Sequence, residues 1–119
     1  MITLTIPELT PSLNVTLGGH WISRYKRRKH WSMLVLVAKS EARVFHVEPL
    51  EKASVTVTRY GGKKLDADNL AGGCKDLIDG LRDNGFIVND DPDHLSVKFS
   101  QYPGVRRGKR TVIEIEALP

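Results

Sequence analysis

Two short acidic segments carry residues whose types and spacing could do chemistry together. The first is Lys64-Leu-Asp-Ala-Asp-Asn-Leu70, and the second, after one intervening helical pattern, is Phe86-Ile-Val-Asn-Asp-Asp-Pro92. Asp66 and Asp68 fall where a strand and tight turn should feed a helix N-terminus. Asp90 and Asp91 fall where a second short strand should end. Carboxylates drawn from separate strand ends onto one sheet edge make a hard oxygen site, suited to Mg2+ with Mn2+ as a substitute. Magnesium takes a few carboxylates together with water and substrate phosphate. Two such ions about 4 Å apart can activate a water and stabilise the leaving oxygen of a phosphodiester. The expected metal ligands are Asp66, Asp68, Asp90 and Asp91.

The same residues have a structural reading. Aspartate at a helix start is a common cap that also suits the helix dipole, and Asn-Asp-Asp-Pro is a good polar turn. An EF-hand loop is excluded, because Leu70 occupies its third ligand position, Lys75 follows and no glutamate closes the set. Lys75 lies seven residues past Asp68, so on one continuous helix both project from nearly the same face. There it could hold a scissile phosphate or stabilise developing charge, or else pair with Asp79 four residues on. The single cysteine, Cys74, rules out an internal disulfide and a Cys-rich zinc site. Its place on an apolar helical stripe marks it as a small buried hydrophobe rather than a nucleophile.

The surrounding charge suits a polyanion. Net charge is +4 and the pI is near 9.4. Arg24, Lys26, Arg27, Arg28 and Lys29 form one basic block, Lys63 and Lys64 a second, and Arg106, Arg107, Lys109 and Arg110 a third. The stretch from Asp66 to Asp93 holds 8 of the 14 acidic residues, all of them aspartates. Positive flanks around an acidic centre fit an enzyme that grips phosphates on its rim and metal ions in its middle. Each of these basic residues is a candidate DNA contact, with an ordinary solvated side chain as the alternative. Trp21 and Tyr25 beside the first block could stack on exposed bases, with core packing expected for at least one of them.

These residues need a scaffold. Met1 to Pro7 alternates as a first strand, and a turn-rich loop follows to Gly18-Gly19. Ser23 is a candidate cap for a helix reaching about His46, with Trp31, Leu34, Val35, Ala38, Ala42 and Phe45 on one side. Ala53 to Tyr60 alternates as a strand and Gly61-Gly62 breaks it. A second helix is expected from about Asp68 to Arg82, with Leu70, Cys74, Leu77, Ile78 and Leu81 as its stripe and Asn84-Gly85 as its stop. Phe86 to Val88 reads as a short strand. Leu95 to Gln101 and Thr111 to Ala117 read as a hairpin joined by a long basic loop from Tyr102 to Arg110. The expected fold is α+β: two helices packed on one mixed or antiparallel sheet, in the order β-α-β-α-β-β-β.

Taken together, Asp66-x-Asp68-Asn-Leu, Asp79-Gly-Leu81 and Gly85-Phe-Ile-Val-x-Asp90-Asp91 resemble the RusA-like endodeoxyribonucleases, the Holliday-junction resolvases. The match covers about Lys64 to Leu95, and Pro11-Ser-Leu-Asn14 resembles that family's Pro-Ser-Asn segment before a basic stretch. The resemblance implies one RusA-like domain over residues 1–119 and a homodimer that makes paired nicks in branched double-stranded DNA. It also implies magnesium held by Asp66, Asp68 and a third aspartate. Counting from Asp79 makes the third Asp90, with Asp91 as the alternative. Lys75 stands for the catalytic lysine, although the family's lysine usually lies one turn past the second aspartate, where this chain has Gly72. A phage or prophage setting is suggested by the same resemblance.

The competing class is a non-catalytic basic DNA-binding or architectural module, in which the aspartates are only caps and turns. A phosphatase acting on small molecules fits less well, since a small substrate does not need charge spread over three segments. No apolar run approaches the roughly 20 residues a bilayer span needs, and Met1 to Leu9 lacks the blocks of a signal peptide. The expected location is cytoplasmic.

Overall fold

Period-two alternation places four strands. In the computed structural model, which describes residues 1–119, these are β1 (Ile2–Ile6), β2 (Ala53–Tyr60), β3 (Leu95–Tyr102) and β4 (Arg110–Ala117). They form one sheet in the order β1-β4-β2-β3. β4 runs antiparallel to both β1 and β2, while β2 and β3 are parallel, so the sheet is mixed. Leu4, Ile6, Ala53, Val55, Val57, Ile113 and Ile115 point to one face and are buried there. The alternate residues, including Thr3, Thr5, Ser54, Thr56, Ser96 and Lys98, point to the other face, which no helix covers.

There are four helices, α1 (Leu13–Leu17), α2 (Trp21–Glu41), α3 (Ala67–Gly72) and α4 (Lys75–Asp83); α2 and α4 pack on the apolar face, while α1 lies against α3. Trp31, Val35 and Ala38 from α2 meet Leu77, Ile78 and Leu81 from α4 in the core shared with the sheet. Gly80 lets the helices approach, since a Cβ there would lie 3.1 Å from Val35 Cγ2 and 3.2 Å from Ser32 Cα. The architecture is α+β with helices layered on one sheet, as expected, and the differences lie in how the elements are divided and paired.

The first long helix is shorter than its periodicity suggests. It starts at Trp21 under a His20 cap, where the His20 ring accepts from the Ile22 amide, and Ser23 lies inside it. It stops at Glu41 because Arg43 turns left-handed, with φ 56°. The Val44 and Arg43 amides then donate to the Lys39 and Ser40 carbonyls. That closure normally uses glycine, so the stop carries no sequence signal. Phe45 consequently falls outside the packed stripe and is exposed.

The second expected helix is two. Gly72 and Gly73 interrupt it because the Pro11–Leu13 segment wedges against them. A Cβ on Gly73 would sit 1.6 Å from the Pro11 carbonyl oxygen, and one on Gly72 would sit 2.6 Å from Leu13 Cδ1. Phe86 to Val88 is not a strand but a single bridge, Leu50 to Ile87. β3 and β4 do not form a hairpin either. β2 lies between them, and their basic connection crosses the end of β2.

Candidate active site and nucleic-acid interface

The turn after β2 is held from two sides. Arg59, buried at the end of β2, donates to the carbonyls of Thr10 (3.0 Å), Gly61 (3.0 Å) and Lys63 (3.2 Å). Burial lowers its pKa from the usual guanidinium value, and three carbonyl oxygens compensate the desolvated charge. Gly62, with φ 71°, leaves the space that this guanidinium fills. On the other side the Gln101 side chain accepts from the Leu65 amide at 3.0 Å and donates to the Leu65 carbonyl at 2.7 Å. Arg59 and Gln101 together place Asp66.

Asp66 caps α3. Its Oδ1 accepts from the Asn69 amide and its Oδ2 from the Asn69 side chain, both at 2.9 Å. A carboxylate has about four acceptor sites, so each oxygen keeps one free. Asp68 sits in the first turn of the same helix, exposed and outside every ion pair.

Asp90 and Asp91 are placed elsewhere. The Asp91 carbonyl accepts from the Leu95 amide at the start of β3, whereas Leu65 is tied to Gln101 near its end. The anchors are six strand residues apart, roughly 20 Å at about 3.3 Å per residue. The turn that carries Asp66 and the loop that carries Asp91 are therefore anchored at opposite ends of β3. No three acidic, histidine or cysteine side chains are gathered where they could share a metal ion. The parallel β2–β3 pairing causes this, because the chain must travel back along the sheet before re-entering it.

Asp90 instead joins a network of alternating charges. Its carboxylate lies 4.0 Å from Lys75 Nζ and 3.6 Å from Arg82 Nη1. The same two cations approach the nearly buried Asp79 at 3.6 and 3.7 Å, and Arg28 reaches it at 3.9 Å. Lys75 thus makes its expected contact with Asp79 and a further one with Asp90. It and Asp68 stand on different helices, since the break at Gly73–Cys74 lies between them. Arg82 was not singled out by its sequence position, although its spacing of three from Asp79 is a usable signal. Asp91 pairs with His94 Nδ1 at 2.7 Å, and this hydrogen bond holds its carboxyl below the ordinary range.

Cys74 precedes α4 and is fully buried, donating its thiol to the Leu70 carbonyl. Burial pushes its pKa up to about 11, so the thiolate nucleophile is absent at neutral pH.

The basic segments divide into engaged and open groups. Arg27 is fixed between Asp76 (3.2 Å) and the Thr16 carbonyl (2.9 Å), with little exposed surface. Arg28 spans Asp79 and Asp83. Arg24, Lys26 and Lys29 are exposed, with Lys29 over the Tyr25 ring. Trp21 and Tyr25 are both exposed, so neither is a core residue. Lys63, Lys64, Arg106, Arg107 and Lys109 are exposed, and neither they nor Arg110 enter any ion pair. No helix is long and apolar enough to cross a membrane.

No protein-family model matches the chain, and no curated protein sequence matches it closely enough to count as a relative.

Proposed function

We propose that this chain is a magnesium-dependent endonuclease of branched DNA, acting on Holliday junctions as a homodimer that nicks symmetrically. The observation that carries the reading is the pair of exposed carboxylates, Asp66 and Asp68, at the start of α3, next to the open cations Lys63 and Lys64. One or two carboxylates, completed by water and substrate phosphate, are a sufficient protein contribution for magnesium. Asp66 and Asp68 fit that role. A bound magnesium ion supplies Lewis acidity and an activated water. Lys63 and Lys64 draw the phosphodiester to this end of the sheet, and Arg59 with Gln101 holds the turn that presents Asp66. Lys75 and Asp90 then serve to brace α4 against the following loop rather than to act on the phosphate.

A second reading is binding of branched DNA without cleavage, in which Asp66 serves as the cap of α3 and Asp90 as the partner of Lys75 and Arg82. One experiment separates the two. A synthetic four-way junction is incubated with the protein in EDTA and in magnesium, using the parent and Asp68→Asn. The endonuclease reading expects metal-dependent nicking by the parent, lost on substitution by about two orders of magnitude or more while junction binding persists. Binding with no nicking in either buffer leaves only the module.

A further inference from the structure

Three neighbouring strands end in a row of stacked side chains. Tyr60 of β2 is in register with Tyr102 of β3 on one side and with Arg110 of β4 on the other. The two tyrosine rings stack with centroids 5.1 Å apart and planes 12° apart, and the Arg110 guanidinium lies 4.2 Å from the Tyr60 centroid. All three stand on the sheet face that no helix covers. β3 is the edge strand, and Tyr102 is 56% exposed at the end of the row. Stacking immobilises the ring while leaving it open to a further planar group.

A cationic cleft adjoins this row. Gly62, Lys63, Gly104, Val105, Arg106 and Lys109 line a space of about 350 Å³. The cleft is closed beside the row, since the Gly61 amide donates to the Tyr102 carbonyl and the Gly104 amide to the Gly62 carbonyl. Lys109 Cγ would lie 2.8 Å from a Cβ on Gly61, so only glycine there lets the loop close. No acidic residue lines it, and three of its six residues, Lys63, Arg106 and Lys109, are cationic. The acidic side chains of the same sheet face, Glu114 and Glu116, lie away from the row, opposite Thr56 and Ser54.

We propose that the Arg110–Tyr60–Tyr102 row and this cleft form a subsite for an unpaired stretch of DNA. One base stacks on the open side of Tyr102, and a neighbouring phosphate lies among Lys63, Arg106 and Lys109. A base inside a duplex has both faces occupied, so the subsite selects strands opened at a branch point. Stacking on an exposed aromatic beside a cationic groove is sequence-tolerant, because every base presents a π face. The inference rests on the DNA-binding half of the proposed function and not on the metal.

The test is fluorescence anisotropy in EDTA with three labelled probes of equal length: oligodeoxythymidylate, an abasic strand and a blunt duplex. Tyr102→Leu should weaken oligodeoxythymidylate binding about 5- to 100-fold and leave the abasic strand unaffected, while Tyr102→Phe retains parental binding. The double substitution Lys63→Gln, Lys109→Gln should weaken both single strands and reduce the salt slope by about 1.4, at about 0.7 for each phosphate no longer neutralised. Equal effects of Tyr102→Leu on the thymidylate and abasic strands, or a parental preference for the duplex, would overturn the proposal. Magnesium-dependent junction nicking by a protein with either outcome leaves the endonuclease reading standing without this subsite. The expected binding pattern without nicking does the reverse.

Discussion

Replacing Gly73 by alanine tests the account of the α3–α4 break, because two physical effects predict opposite signs. Gly73 has φ −71° and ψ −12°, an ordinary right-handed helical conformation. By backbone entropy alone, alanine there should stabilise the fold by about 0.4–1 kcal/mol. The added Cβ, however, would lie 1.6 Å from the Pro11 carbonyl oxygen and 2.7 Å from its carbon. Restoring ordinary van der Waals separation, about 3.5 Å between heavy atoms, requires a displacement of about 1.5–2 Å. The atoms in the way are backbone, so no side-chain rotation relieves it. Overpacking of this kind costs about 1–3 kcal/mol, and the rigidity of the obstacle puts this case toward the upper end. A net loss of about 1–2 kcal/mol is expected once the entropic gain is subtracted. Urea unfolding should show the midpoint falling by about 0.5–1 M with the slope unchanged. Gly85→Ala is the comparison, since nothing lies within 4 Å of its Cβ position and its φ is +80°. Its cost is therefore conformational alone, about 1–2 kcal/mol. A Gly73→Ala midpoint at or above the parental value would refute the wedge, and with it the reason given for dividing the helix.

Two further outcomes follow from the side-chain geometry. Arg27 and Asp76 meet at 3.2 Å with side chains only 19% and 17% exposed, so a double-mutant cycle with Arg27→Gln and Asp76→Asn should give a coupling of about 1–2 kcal/mol. A coupling below about 0.3 kcal/mol would show that the pair contributes no more than an ordinary surface contact. The Cys74 thiol has a folded pKa raised to about 11 from 9.0. The unfolded chain therefore loses this proton first as pH rises, and the contribution to stability, complete below about pH 9, disappears through about pH 11. Cys74→Ala should lack that component, so the difference between its urea midpoint and the parent's should change over that interval and stay constant below it.

Much of the scaffold was legible in local pattern. Alternation in Ile2–Ile6, Ala53–Tyr60, Leu95–Tyr102 and Arg110–Ala117 marks strands, because a half-buried strand must present one face to the core. The stripe Leu70, Cys74, Leu77, Ile78 and Leu81 is buried as its helical spacing requires. Asn84-Gly85 ends α4 because Gly85 takes a positive φ that other residues resist. Asp66 caps the helix that follows it, as its type and position suggest.

Pairing and convergence were settled only in three dimensions. A period-two pattern states which side of a strand is apolar and says nothing about its neighbour, so β2 enters between β3 and β4 without a local signal. The parallel β2–β3 contact then anchors the Asp66 turn and the Asp91 loop at opposite ends of β3, although motif spacing treats their aspartates as one set. Pro11 divides a helix far along the chain, and Arg27 and Arg28 are occupied by α4 carboxylates that nothing near them in sequence announces. The row of Arg110, Tyr60 and Tyr102 exists only because three strands end at one level. Local pattern is a property of the chain's own geometry, whereas these contacts depend on burial and charge summed over distant neighbours. Only the folded chain performs that sum.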